Sequence, residues 1–222
     1  MDEWKLAVFD LDGVLTDTAN YHFLAWKQTM EMRGIPVDDE VNELVKGISR
    51  ADSLSLILKR AHIPLQHEVF EELLIKKNET YQTMIKQLTQ KDVLPGILDF
   101  LEELRKQEIC CVVASASKSA EMILQQLGIR SYFKGVVDPA SINKGKPAPD
   151  IFIRACEMVQ IPIKNAIGFE DARAGIQAIR QAGMKAVGIG QAYLKEEHPD
   201  CYYPSTACLH MEDIIHTIRE GQ

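Results

Sequence analysis

The chain is 222 residues long, and its hydrophobic fraction of 46% and charged fraction of 26% are ordinary values for a globular protein with a sizeable core. This length suits one large domain, or one core domain that carries an inserted module. The formal net charge is −7, which argues against a general affinity for the nucleic-acid backbone but leaves room for local cations that bind one phosphate.

The cysteines and the N-terminal sequence indicate the cellular environment. The five cysteines are odd in number and lack a Cys-x-x-Cys spacing, so we expect neither a zinc site nor disulfides. The first residues lack the pattern of a signal peptide, and no apolar run approaches the roughly 18 residues of a membrane span. We therefore expect a cytoplasmic protein with neither a membrane nor a nucleic-acid partner.

Five short β-rich runs alternate with amphipathic stretches along the chain. The predicted strands cover residues 5–10, 109–114, 135–138, 166–169 and 185–189. Such short, mostly apolar runs are typical of strands that are covered on both faces. Gly128 and Gly183 stand where helices would end. This alternation predicts an α/β fold, with a Rossmann-like parallel sheet core flanked by helices.

The segment between the first two predicted strands breaks the alternation. It contains no convincing strand, whereas residues 54–61 and 68–87 have patterns typical of helices. The economical interpretation is an all-helical cap domain that is inserted after the first strand. We therefore predict that residues 1–16 and 92–222 form the α/β core and that residues 17–91 form the cap.

Two carboxylates, Asp10 and Asp12, follow the first predicted strand, and Gly13 comes directly after them. In an open parallel sheet, ligands bind at the carboxyl ends of the strands. These carboxylates are therefore candidates for catalysis or metal binding. Taken alone, an Asp-x-Asp-Gly sequence fits a solvated turn equally well.

Three further polar segments lie at the ends of predicted strands or in loops next to predicted helices. They are the segment 115–117 after the second strand, Lys146 in a loop before a helix, and Glu170-Asp171 at the end of the fourth predicted strand. Each has an ordinary interpretation on its own. The serines could be a helix N-cap, the lysine could face solvent, and Asp171 could cap the next helix.

The four segments together are more specific than any one of them. They bring clustered carboxylates, a hydroxyl and a lysine to the same edge of the predicted sheet. Clustered carboxylates repel one another unless a cation joins them. Because these ligands offer only oxygen atoms, they suit Mg²⁺, which also accepts waters and a substrate phosphate.

The four segments resemble the four motifs of the haloacid dehalogenase superfamily of phosphotransferases, and the similarity covers essentially the whole chain. Within that superfamily the sequence is similar to the β-phosphoglucomutase family. The stretches that carry this similarity are FDLDGVLTDTANYHFLAWK, KGISRADS, SASK, VDPA, GKPAPDIF and AGIQAI.

The resemblance implies a catalytic role for each matching residue of the core. Asp10 would be the nucleophile that becomes an aspartyl phosphate, and Asp12 would be the general acid and base for a sugar hydroxyl. Thr18 and His22 occupy positions of the family motif, and His22 would help to position Asp12 and the sugar. Mg²⁺ would be held by Asp10, the backbone carbonyl of Asp12, and Asp171, with Glu170 nearby.

The resemblance also implies two phosphate-binding sets. The transferring phosphate would be held by Ser115, the N–H group of Ala116, and Lys146. The other phosphate would be held by Arg50, Ser117 and Lys118, with Lys46, Gly47 and Ser53 in the same cap stretch. Ser119 departs from the family pattern, because an asparagine often contacts the distal phosphate there. Ala172 and Arg173 also depart from it, where Ser-Gln can occur.

The resemblance favours an isomerase that converts β-D-glucose 1-phosphate to glucose 6-phosphate through a bound 1,6-bisphosphate. The alternative is a phosphatase for a sugar phosphate or phosphoglycolate, because the core motifs are shared. The cap favours the isomerase, since Lys46 and Arg50 stand where a second phosphate would dock. A non-catalytic sugar-phosphate sensor is disfavoured, because all four core motifs are intact. We expect a monomer whose partner is a small sugar phosphate.

Overall fold

The structure is a computed structural model that describes residues 4–45, 48–64 and 66–220. Its centre is a sheet in which six strands, all parallel, are found among the described residues, in the spatial order β3-β2-β1-β4-β5-β6. The strands are β1 Leu6–Phe9, β2 Cys110–Val113, β3 Gly135–Val136, β4 Ala166–Glu170, β5 Lys185–Ile189 and β6 Cys201–Tyr203. The five predicted strands are confirmed, with shorter bounds for the first three. The sixth strand was missed, because three residues at a sheet edge carry too short a pattern.

The helices fall into two groups along the chain. The first group follows β1 and consists of α1 Ala19–Glu31, α2 Asp39–Val45, α3 Arg50–Arg60 and α4 His67–Ile85. After them come α5 Ile97–Lys106, α6 Ala120–Gln126, α7 Asp150–Val159, α8 Arg173–Gln181 and α9 Met211–Glu220. Short 3₁₀ turns cover Gln90–Asp92, Arg130–Tyr132, Pro139–Ser141, Ile163–Asn165, Ala192–Glu197 and Thr206–Cys208. None of the helices in the described part of the chain is long and apolar enough to cross a membrane.

The sheet has an apolar core on each face, because alternate residues of each strand point to opposite sides. In β1, Ala7 and Phe9 join the cluster that α5, α6 and α9 cover, whereas Leu6 and Val8 join the cluster under α7 and α8. The Phe9 ring stacks on Phe169 of the neighbouring strand at a centroid distance of 4.7 Å. Burial on both faces explains why the strands read as continuous apolar runs.

Two glycines end helices as predicted. Gly128 and Gly183 have φ angles of +69° and +77°, shortly after α6 and α8. A residue with a side chain is strained in this left-handed region, so glycine is favoured at these ends.

The helices α1 to α4 form an all-helical unit with an apolar cluster of its own, built around Trp26, Met30, Leu54 and Ile57. The two chain segments that connect it to the sheet run side by side. Thr16 pairs with Val93, and the N–H of Leu94 donates to the carbonyl of Leu15 at 3.0 Å. The domain bounds 1–16, 17–91 and 92–222 remain a prediction.

Candidate active site

The site forms where the carboxyl ends of three neighbouring strands meet. The sheet order β2-β1-β4 places the segments that follow these strands side by side. Asp10 and Asp12 follow β1, Ser115 follows β2 at one residue's distance, and Glu170 ends β4. Parallel strands expose their carboxyl ends at one edge, which explains why segments far apart in the chain converge here.

Lys146 forms ion pairs with carboxylates of two of these segments. Its buried ammonium group donates to Asp10 Oδ1 at 2.5 Å and to Glu170 Oε1 at 2.7 Å. Burial by itself would lower the pKa of Lys146, but the two carboxylates outweigh it and raise the pKa. Lys146 is therefore a cation at neutral pH and balances the charge of the carboxylates.

The carboxylate oxygens of Asp10, Glu170 and Asp171 form an acidic cluster in which one oxygen of each lies within 4.8 Å of the others. Glu170 Oε2 accepts the N–H groups of Asp171 at 2.7 Å and Ala172 at 2.9 Å, and its Oε1 accepts from Lys146. Ala172, not Asp171, is the N-cap residue of α8. The capping interpretation of Asp171 is thus wrong, and its carboxylate belongs to the acidic cluster.

Two glycines that the sequence analysis did not assign to the site make room for this cluster. A Cβ atom on Gly13 would lie 2.0 Å from Asp171 Oδ2, and one on Gly175 would lie 1.8 Å from Glu170 Oε1. Any side chain at either position would displace the carboxylate. Gly13 also has a φ of +76°, which suits the tight turn after β1.

Asp12 lies in a different environment from Asp10. Its N–H donates to Asp10 Oδ2 at 2.9 Å, and its Oδ1 accepts a short hydrogen bond from the Thr18 hydroxyl. Burial, reinforced by the negative charge of Asp10, raises the pKa of Asp12 to about 8. A carboxyl with such a pKa can hold a proton near neutral pH and release it again, as a general acid and base must.

His22 and Lys77 approach Asp12 from the helical unit. Lys77 Nζ lies 2.6 Å from His22 Nδ1, and His22 Nε2 lies 3.9 Å from Asp12 Oδ2. Burial, together with the charge of Lys77, lowers the pKa of His22 well below its usual value, so the ring is neutral. With Lys77 as the donor to Nδ1, the neutral ring carries its proton on Nε2. That atom is buried and has no hydrogen-bond partner among the described residues.

Lys77 is a residue that the sequence analysis missed. It is buried in α4, and its Nζ lies 5.4 Å from the centre of the Trp26 ring and 4.6 Å from that of Tyr81. Burial, with a contribution from Arg50, lowers the pKa of Lys77 to about 7. The helix pattern could have revealed it, because Lys77 lies on the buried face that repeats as Leu73, Lys77, Tyr81 and Ile85.

The loop after β2 presents its hydroxyls and N–H groups without capping a helix. Ser115 Oγ accepts the N–H of Ser117 at 3.1 Å, and Ser117 Oγ accepts the N–H of Ser119 at 3.3 Å. The N-cap residue of α6 is Ser119, so the ordinary capping interpretation of the segment 115–117 is wrong. Such turns leave hydroxyl protons free to bind an anion.

Arg50 and Ser53 belong to α3 on the opposite side of the site. Arg50 Nη1 donates to the carbonyl of Leu74 at 3.1 Å, and Ser53 Oγ donates to the carbonyl of Ser49 at 2.9 Å. Partial burial lowers the pKa of Arg50, but the guanidinium remains charged. The predicted residues Lys46 and Gly47 lie outside the described residues.

One cavity of about 420 Å³ joins the two sides. The predicted site residues that line it are Asp10, Asp12, His22, Arg50, Ser53, Ser115, Ala116, Ser117, Lys118 and Asp171. Thr18, Lys146 and Glu170 contact these residues from behind. The structure therefore brings a candidate nucleophile, an acid–base candidate and a distant guanidinium to one cavity, an arrangement suited to phosphoryl transfer.

Comparison with known proteins identifies the protein family to which the chain belongs. Residues 4–183 match the family model of haloacid dehalogenase-like hydrolases. The chain therefore belongs to this family, whose phosphotransferases use a metal ion, in agreement with the acidic cluster.

Individual proteins within this family are similar to the chain to different degrees. The chain is 47% identical to the β-phosphoglucomutase of Bacillus subtilis over 189 residues, which is 84% of each chain. The crystal structure of β-phosphoglucomutase from Clostridium difficile superposes with a TM-score of 0.94 at 36% identity and covers 99% of this chain and 98% of that one. A phosphorylated carbohydrates phosphatase of Thermotoga maritima is more distant, at 25% identity over 82% of this chain and 83% of that protein.

Proposed function

We propose that the chain is an isomerase that interconverts β-D-glucose 1-phosphate and glucose 6-phosphate through an aspartyl-phosphate enzyme and a β-glucose 1,6-bisphosphate intermediate. The observation that carries this proposal is the shared cavity, which has Asp10 on the core side and Arg50 on the helical side. A bisphosphate needs binding groups for each of its two phosphates, and the two sides of the cavity offer one set each. The similarity to two proteins named β-phosphoglucomutase supports the same function.

The residues suggest how each half of the reaction proceeds. A carboxylate oxygen of Asp10 attacks a phosphorus atom of the bisphosphate, and the bond from that phosphorus to the sugar oxygen breaks. Asp12 gives its proton to the departing sugar oxygen. In the reverse sense, Asp12 takes the proton of a sugar hydroxyl as that oxygen attacks the aspartyl phosphate. Two easier transfers thus replace one difficult transfer.

The remaining site residues hold the substrate in this proposal. Ser115, the N–H group of Ala116, and Lys146 hold the transferring phosphate. The distal phosphate is held by Arg50, Ser117 and Lys118, together with Lys46, Gly47 and Ser53. His22, through its free Nε2 proton, orients the sugar beside Asp12. Closure of the helical unit over the cavity would exclude bulk water from the aspartyl phosphate.

The metal in this proposal is Mg²⁺. The carboxylates of Asp10 and Asp171 would hold it. The backbone carbonyl of Asp12 and the carboxylate of Glu170 would be the other protein ligands. The donors of the acidic cluster are all oxygen atoms, which suits a hard cation of this size. When bound, Mg²⁺ would neutralise charge on the transferring phosphoryl group.

Exhaustive chelation is expected to abolish turnover, and excess Mg²⁺ is expected to restore it. The reason is that the clustered carboxylates repel one another and the phosphate when no cation lies between them. The measurement is isomerase rate before and after chelation, together with the thermal unfolding midpoint. Added Mg²⁺ should raise that midpoint, because a ligand of the folded state stabilises it. Undiminished activity after chelation would exclude the metal site.

Product analysis separates the isomerase from the sugar-phosphate or phosphoglycolate phosphatase that shares its core motifs. The protein is incubated with β-glucose 1-phosphate, a trace of the bisphosphate and Mg²⁺. The isomerase produces glucose 6-phosphate with little free phosphate. Stoichiometric release of inorganic phosphate and glucose would instead favour the phosphatase.

Replacement of Arg50 by alanine is expected to cut isomerase turnover by roughly 10²-fold or more, because closure and alignment of the distal phosphate both depend on it. A guanidinium grips a phosphate through two parallel hydrogen bonds, which a point charge cannot reproduce. Phosphorylation of Asp10 by acetyl phosphate, which has no distal phosphate, should be much less affected.

Arg60→Ala is the matched control for this variant. Arg60 lies at the other end of α3, where it is exposed and pairs with Glu40. Its loss should leave turnover near that of the unmodified protein. Unchanged turnover in Arg50→Ala would show that the distal-phosphate role is wrong and would favour the phosphatase.

The proposal further includes a monomeric protein in the cytoplasm that acts on a free sugar phosphate and binds no nucleic acid. The net charge of −7 supports the last point. Sedimentation at micromolar concentration would test the monomer.

A further inference from the structure

The hydroxyl of Tyr81 connects α4 of the helical unit to Thr18, in the segment that follows β1. Tyr81 is buried in α4, and its hydroxyl lies 3.1 Å from Thr18 Oγ1. Neither the acid–base chemistry nor the phosphate-binding sets described above assigns a role to this residue.

The direction of each hydrogen bond follows from the number of protons. A serine, threonine or tyrosine hydroxyl has one proton to donate. Thr18 donates its proton to Asp12 Oδ1, so toward Tyr81 it accepts. Tyr81 therefore donates to Thr18.

We propose that Tyr81 is a positioning residue that acts through Thr18 on Asp12. The relay of hydroxyls from Tyr81 through Thr18 is oriented toward Asp12 Oδ1 and occupies that oxygen as an acceptor. The other oxygen, Oδ2, lies 3.9 Å from His22 Nε2 and is left to carry the proton that is given to the sugar. This inference rests on the proposed acid–base role of Asp12.

The ring of Tyr81 has a separate, packing role that must be distinguished from that of its hydroxyl. The ring lies against His22 with a centroid distance of 4.0 Å and beneath Lys77. Tyr81→Phe keeps these contacts and removes the hydroxyl alone. Without its donor, the Thr18 hydroxyl is no longer held in one rotamer, and the Asp12 carboxyl loses its fixed orientation.

The test compares two phosphate donors in single-turnover phosphorylation of Asp10. β-Glucose 1,6-bisphosphate releases a sugar oxygen that needs a proton, whereas acetyl phosphate releases acetate, which does not. In Tyr81→Phe, we expect phosphorylation by the bisphosphate to slow about tenfold, the value of one well-placed hydrogen bond, and phosphorylation by acetyl phosphate to keep its rate. In an Asp12→Ala background, Tyr81→Phe should cause no further slowing, because the relay then has no end point.

Tyr132→Phe provides the matched control, since it removes a hydroxyl that bonds to Glu102 far from the cavity. Two results would show that Tyr81 acts only through packing and would overturn the inference. One is that Tyr81→Phe slows phosphorylation equally with both donors. The other is that it slows phosphorylation by the same factor in the Asp12→Ala background. Unchanged phosphorylation by the bisphosphate would also overturn it. Failure of the proposed isomerase is a distinct result, because any sugar phosphate that phosphorylates Asp10 reports on the relay even if no isomer forms.

Discussion

Replacement of Asp10 by asparagine is expected to abolish turnover while the protein stays folded. An amide cannot form the acyl phosphate on which the proposed mechanism depends. Asp10 Oδ1 accepts from Lys146 and Oδ2 accepts the N–H of Asp12, whereas asparagine offers only one oxygen. One buried donor therefore loses its partner, at a cost of about 1–3 kcal/mol. This cost is smaller than the usual stability of a domain, about 5–15 kcal/mol.

The measurement combines the isomerase rate with thermal unfolding and with mass spectrometry of the protein after exposure to acetyl phosphate. Asp213→Asn is a suitable control, because it makes the same chemical change on the exposed side of α9. Asp10→Asn should show no phosphoenzyme and a cooperative unfolding transition. Turnover near that of the unmodified protein, without deamidation of residue 10, would sink the assignment of the nucleophile.

Replacement of Asp12 by alanine is expected to lower isomerase turnover by about 10²–10⁴-fold, the usual contribution of a positioned acid and base. The raised pKa of about 8 makes Asp12 suited to protonate the sugar oxygen in one half of the cycle and to deprotonate a hydroxyl in the other. The loss should be greatest with sugar phosphates, because a sugar oxygen is a poor leaving group. Phosphorylation by acetyl phosphate should be far less sensitive.

Metal affinity provides the second measurement on Asp12→Ala. In the proposal, residue 12 binds Mg²⁺ through its backbone carbonyl, which alanine retains. Calorimetric titration should therefore give nearly the same Mg²⁺ affinity for the variant. A large loss of affinity would show that the Asp12 side chain is itself a ligand, and the acid–base role would have to be reassigned.

The two carboxylates of the Asp-x-Asp segment show how one turn supports two kinds of chemistry. Asp10 is held beside the Lys146 cation, whereas the Asp12 carboxyl accepts from the neutral Thr18 hydroxyl. Both residues lie beyond the end of β1, and the groups around the Asp12 carboxyl determine how readily it holds a proton. The sequence shows the pair but not this difference.

The sequence by itself determined the parts of the protein that depend on local patterns. Continuous apolar runs revealed five strands of the parallel sheet, and the helical segment after the first strand was evident from the lack of any strand pattern. The convergence of Asp10, Ser115, Lys146 and Asp171 also followed, because parallel strands expose their carboxyl ends at one edge. The resemblance to a known family then suggested a role for each of these residues.

Only the tertiary structure decided the features that arise from contacts between distant segments. Lys77 and Tyr81 look like ordinary members of a charged helix until α4 packs against α1 and turns them toward Asp12. The pKa of Asp12 near 8 results from burial, which no local pattern encodes. The need for glycine at positions 13 and 175 likewise comes from carboxylates that approach across the site. These properties depend on which groups meet in three dimensions, and that is set by the packing of the whole chain.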